Sequence, residues 1–137
     1  MARPALPDTP SMAATELPRD LPIFAAAMAV EAVHLLDDGL LNPHNGVTDV
    51  PSTLIAVAIL VGAVALYGRL ATWARSVLAG LFGLAGLVGG LDMHVLHALD
   101  HGASGSDYTG FGQVAAGAVL LALAAVLALR RLAPRPA

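Results

Sequence analysis

The chain has 137 residues, 57 % of them hydrophobic and 12 % charged, about half the charged share of an ordinary soluble domain, which is ~25 %. With a mean hydropathy of +0.74 and a net charge of −3, it lacks the polar residues needed for a water-facing surface. The absence of Cys excludes disulfides, thiolate metal sites and thiol nucleophiles.

All seven basic residues are Arg; with the Ala, Leu and Gly bias this composition points to a GC-rich prokaryotic genome. Residues 1–18 contain Pro4, Pro7, Pro10 and Pro18 and no apolar period. They read as a disordered cytoplasmic tail rather than a secretory signal. Residues 19–137 read as a transmembrane domain. Asp20 is a suitable N-cap, with Pro22 in the first turn, for a span over about 21–40, which the breaker-rich stretch after Gly39 ends. His44, in that stretch, reads as a turn residue. Further spans are expected over about 53–71, 76–100 and 110–130. Those over 53–71 and 110–130 match a hydrocarbon core of ~30 Å cleanly, whereas 21–40 and 76–100 do so only by carrying ionisable residues at depth.

A soluble helical bundle of the same length would need polar outer faces. Leu54 to Leu66 and Val114 to Leu129 carry no charge on any face, and a helix that is apolar all round is either buried or in lipid. Two such helices cannot both be buried by so short a chain. The expected fold class is therefore an all-α integral membrane protein with four transmembrane helices.

With the N-terminus inside, Arg3, Arg19, Arg69, Arg75, Arg130, Arg131 and Arg135 all fall on the cytoplasmic side. Both outer loops then lack basic residues. Glu31, Asp37, Asp38, Asp49, Asp92, Asp100 and Asp107 fall in the outer halves or loops. The expected location is the inner (plasma) membrane, multi-pass, with both termini cytoplasmic. Tyr67 and Trp73 at the inner end and Tyr108 at the outer end suit interfacial anchors.

The segment Glu31–Gly39 aligns without gaps on His94–Gly102, with the His, the Leu, the Asp and the Gly shared. Each copy closes an odd-numbered span and is followed by a polar loop and an apolar span. The chain therefore reads as two tandem two-helix hairpins, a parallel internal repeat with its axis along the membrane normal. Gly86 and Gly90 form a small-xxx-small pattern for close helix approach.

At 100° per residue, Glu31, His34 and Asp38 share one helix face, and His94, His97 and His101 share another. Asp92 lies roughly opposite. The stripe reaches ~12 Å inward from the outer end. Ionisable residues at membrane depth cost about 2.5–3.5 kcal/mol each on insertion scales, so they point to function. The imidazoles suit Zn, Cu or Fe, and carboxylates complete or orient the shell. The candidate metal ligands are His34, Asp38, Glu31, His94, His97 and His101, with His97 and His101 spaced i, i+4 as in helix-borne zinc sites. Helix-end solvation also accounts for Asp37, Asp38, Asp100 and His101, and an interhelical hydrogen-bonded knot for the deeper residues.

Three functions compete. The first is divalent transition-metal binding, for metal handling or a metal-dependent membrane enzyme. The second is a b-type haem protein with His34 and His97 as axial ligands. The third is a non-catalytic membrane subunit or a proton or ion pathway. No nucleophile elbow, phosphate loop, dinucleotide fingerprint or basic nucleic-acid patch is present, and no catalytic residue is assigned. The expected partners are the lipid bilayer and a homo-oligomer or larger membrane complex, with no nucleic acid.

Overall fold

A computed structural model describes residues 17–43 and 48–133. The expectations for most of the N-terminal tail and for His44 lie outside these residues. Within them the fold is all-helical, with no strand. Helix α1 (Leu21–Leu36) continues into a π-helical turn, Asp37–Leu41. Helix α2 is Val50–Tyr67. Helix α3 (Thr72–Gly90) runs through a second π turn, Leu91–Val95, into α4 (Leu96–His101), making one continuous rod. Helix α5 is Asp107–Leu132. Four rods result, as the sequence suggests, and three of them are long and apolar enough to cross a membrane: Val50–Tyr67, Thr72–His101 and Asp107–Leu132. The first rod is not among these, because Glu31, Asp37 and Asp38 interrupt its apolar run.

Helix starts differ from the expected ones for local reasons. Asp49 caps α2, which starts at Val50, three residues before Thr53; its Oδ1 accepts the Ser52 N–H at 3.2 Å, with Pro51 in the first turn. Hydrogen bonding from the Ser52 side chain, and then from its backbone N–H, holds the exposed Asp49 carboxyl below its ordinary range. Asp20 occupies the N-cap position of α1 but makes no side-chain cap bond. Its carboxylate instead takes the Arg75 guanidinium at 2.7 and 2.9 Å and the Tyr67 hydroxyl at 2.8 Å. Tyr67 stacks on Phe24 at 4.0 Å between ring centroids. This clasp joins the starts of α1 and α3 to the end of α2.

The rods pack in the order α2, α1, α5, α3. Helix α2 buries only Thr53, Leu60 and Tyr67, a seam with one residue every seven. The large side chains elsewhere on it, such as Leu54, Ile55, Ile59 and Val61, are exposed. Helices α3 and α5 meet much more closely. A Cβ at Gly83 would stand 2.8 Å from the Leu121 backbone N and 2.9 Å from the Gly117 carbonyl. One at Gly117 would stand 2.5 Å from the Leu87 backbone N. The Gly86–Gly90 pattern belongs to the same face and joins that contact: a Cβ at Gly117 would also stand 3.0 Å from the Gly86 carbonyl carbon, and one at Gly90 3.2 Å from the Gly110 carbonyl oxygen. Gly86 receives the Glu31 carboxyl from α1, and Gly90 packs against Val114.

The seam makes opposite predictions for two glycines. Alanine in a helix interior ordinarily gains about 0.5–1 kcal/mol over glycine. Overpacking a tight contact costs about 1–3 kcal/mol. Gly62 has nothing within 4 Å of an added Cβ, so Gly62→Ala should leave the midpoint of heat-induced loss of the monodisperse peak in detergent unchanged or raised. Gly117→Ala should lower it. Equal shifts in the two variants would refute the backbone contact.

Candidate metal centre

The polar residues gather at the end of the bundle opposite the Asp20–Arg75 clasp. His34 reaches in from α1 and His94 from the π turn that follows α3, and both are buried. Their rings meet edge to face with centroids 4.6 Å apart. The His94 ring lies over Gly110 of α5, filling the space a side chain there would need. Asp38, from the π turn after α1, completes a group in which one ligand atom from each of His34, Asp38 and His94 lies within 4.8 Å of the others. Both π turns thus carry members of the cluster. Such turns often occur at functional sites, where the wider backbone re-aims side chains.

A shell of hydrogen bonds orients these residues. The Thr109 hydroxyl lies 2.6 Å from Asp37 Oδ2 and 2.9 Å from the Ser106 carbonyl. Its single proton goes to one of these acceptors, so its oxygen accepts from His34 Nδ1–H at 3.1 Å. Asp107 is fully buried. Its Oδ1 accepts from His94 Nδ1 at 3.2 Å, and its Oδ2 from His97 Nδ1 at 3.0 Å and from the Ser104 N–H at 3.0 Å. Ser106 Oγ donates to Asp38 Oδ1 at 2.8 Å. In each of the three imidazoles the proton is therefore on Nδ1 and the lone pair on Nε2. A carboxylate or hydroxyl behind one ring nitrogen is the usual way a protein prepares the other to bind a metal.

The sequence-derived candidates divide into three groups. His34, Asp38 and His94 come together. His97 and His101 stack on each other at 5.0 Å nearer the surface, joined to the cluster through Asp107. Glu31 is one turn deeper, buried, with its carboxyl against Gly86, and its Oε1 has no hydrogen-bond partner among the described residues. Asp92 is exposed. The repeat register pairs His34 with His97, whereas the ring contact seen is His34 with His94. The two aligned glycines also differ: Gly102 has a positive φ of 84° at the end of α4, while Gly39 sits in a π turn against Thr53. The haem alternative needs His34 and His97 facing each other across a porphyrin, and gains no support from these contacts.

Asp107, Thr109 and Asp37 belong to the site, yet none is among the candidate ligands. A sequence signal for Asp107 exists. Ser104-Gly-Ser-Asp107 before an apolar run is a capping-box pattern, and the Asp107 carboxylate does reach back to the Ser104 N–H. No match to this chain was found among protein-family models, curated proteins or solved structures.

The tautomers can be tested. At ~pH 8.5, well above the ordinary His value of ~6.5, nitrogen-15 spectra should show the proton on Nδ1 in His34, His94 and His97. Asp107→Asn should disturb His94 and His97 and leave His34 as it was. Protons on Nε2 in the wild-type chain would overturn this orientation of the rings.

Proposed function

We propose that this chain is a multi-pass membrane protein that binds a divalent transition metal through His34, Asp38 and His94. The observation that carries this reading is the convergence of two buried imidazoles and one carboxylate within ligating distance. Each imidazole is backed at Nδ1 by a hydrogen-bond partner. Two nitrogens and one oxygen are a borderline donor set suited to Zn, Cu or Fe. Three protein ligands leave a fourth position for water or a substrate. That suits an exchangeable metal, in metal handling or in a metal-dependent membrane enzyme.

The membrane reading is supported by the three long apolar rods and by the exposed Leu, Ile and Val side chains along them. Every described arginine sits at the clasp end, and the imidazoles sit at the other. With the arginines cytoplasmic, the metal centre opens outward. Thr72–His101 has 30 residues and so extends ~45 Å, longer than a ~30 Å hydrocarbon core. His94, His97 and His101 then stand at the outer interface. Glu31, ~16 Å of helical rise from Asp20, is near mid-depth. The tandem-hairpin origin, the inner-membrane location and assembly with further copies or subunits belong to the same reading.

Two measurements test it. After dialysis against a weak chelator, the purified chain should retain about one metal ion, and His34→Ala, His94→Ala and Asp38→Asn should lose it. Asp107→Asn, which removes only the outer support, should weaken binding about 10–100-fold. Ligation requires neutral imidazoles, so occupancy should be full above the ordinary His value and fall as pH drops through ~6.5. Metal undiminished in all the ligand variants would retire the proposal. For orientation, the chain contains no Cys. Ala103→Cys should therefore react with an impermeant thiol reagent in intact cells, and Ala71→Cys should not. The reverse pattern would invert the topology.

A further inference from the structure

At the clasp end two clefts meet. One, of about 610 Å³, is lined by Asp20, Thr72, Trp73, Arg75, Arg130 and Arg131, among others. The second, of about 520 Å³, has Arg19, Asp20 and Arg130 at its mouth and Ile23, Val119 and Val126 along its walls. Asp20 and Arg130 belong to both, so the clefts form one continuous depression. Four arginines and one carboxylate surround it. The carboxylate is already neutralised, because both Asp20 oxygens accept from Arg75 Nη1. Arg19, Arg130 and Arg131 have no acidic partner among the described residues. The depression is thus cationic, and none of the described acidic residues compensates the charge of Arg19, Arg130 and Arg131.

The second cleft also has an apolar floor leading away from the arginines. Val119, Ala122, Leu123, Val126 and Arg130 recur at helical spacing along one face of α5, and Ile23 faces them from α1. From Arg130 to Val119 this groove follows ~16 Å of helix toward the middle of the rod. A soluble anion needs no such extension. A headgroup phosphate with an acyl chain attached fits both halves. Trp73, 56 % exposed beside the first cleft, has the amphipathic ring favoured at headgroup level.

We propose that the arginine-bearing end of the bundle is a binding site for one anionic phospholipid. Its phosphate is held by Arg19, Arg130 and Arg131, and one acyl chain runs down the groove between α1 and α5. Basic pockets between transmembrane helices on the cytoplasmic side commonly take such headgroups. The inference rests on the membrane reading above and is independent of the metal.

The test titrates the delipidated, detergent-solubilised full chain with phosphatidylglycerol and with phosphatidylcholine of matched acyl chains. Native mass spectrometry then counts the lipids retained. Phosphatidylglycerol should be retained preferentially, at one molecule per chain. Arg19→Gln and Arg130→Gln should each reduce that retention about fivefold, the worth of one arginine near an anionic surface. Val126→Trp, which fills the groove and keeps every charge, should reduce it too. Metal content and thermal midpoint should be unchanged in all three variants. Equal retention of the two lipids, or a preference that survives the arginine variants, would overturn the site. Displacement by millimolar inorganic phosphate with no effect of Val126→Trp would make it a site for free anions, contrary to the proposal. Recovery of the chain in the soluble fraction after an alkaline wash would sink the membrane reading itself, before any lipid is added.

Discussion

The close approach of α3 and α5 is the constraint on which the rest of the molecule depends. Where Gly83 and Gly117 meet, backbone lies against backbone. In a lipid surround such contact is favoured by dispersion and complementary shape, since there is no water to expel. The same seam positions both polar features of the interior. Toward the end opposite the clasp, Gly110 leaves room for the His94 ring, which can then lie over α5 and reach Asp107 at the start of that helix. Deeper, Gly86 leaves room for the Glu31 carboxyl from α1. A larger residue at either glycine would push out an ionisable group as well as separating two helices.

The two ends of the bundle use charge differently. The Asp20–Arg75 pair is mostly buried, hydrogen-bonded to Tyr67 and backed by the Phe24 ring. Breaking such a pair by removing one member costs about 3–5 kcal/mol, because the other is left without compensation. At the opposite end Asp107 is shared by two imidazoles and one backbone N–H, so a single fully buried carboxylate fixes the orientation of two rings, one buried and one nearer the surface. The first cluster joins three helices through charges that satisfy one another. The second brings one ligand atom from each of two imidazoles and a carboxylate within 4.8 Å of one another, with Asp107 orienting His94 from behind.

The helical class, the four rods and the gathering of arginines at one end were legible in the sequence because they depend on composition and on long apolar runs. The meeting of His34, Asp38 and His94 was only partly legible. A uniform 100° step put Glu31 on the same face as His34 and Asp38, but the π turns at Asp37–Leu41 and Leu91–Val95 interrupt that step within the stripes. Asp38, inside the first of these turns, meets Ser106, while Glu31, one turn deeper in the regular helix, packs against Gly86. No residue in DDGLL or LDMHV announces a wide turn. Asp20 looked like a cap and became an ion-pair partner, because Arg75, 55 residues away in sequence, outcompetes the local N–H groups. The Ser104-Gly-Ser-Asp107 pattern accounts for Asp107 accepting the Ser104 N–H, but its bonds to His94 and His97 depend on a rod crossing that no local pattern encodes.

The wide turn after α3 has a further consequence. A π turn holds one residue more than the α-helical turn it replaces, so everything beyond it is rotated by about one residue step, ~100°, relative to an uninterrupted helix. His97 and His101 take their bearing from that extra residue, whatever their own preferences. The bearing of the last third of this rod is thereby set by the position of a single surplus residue.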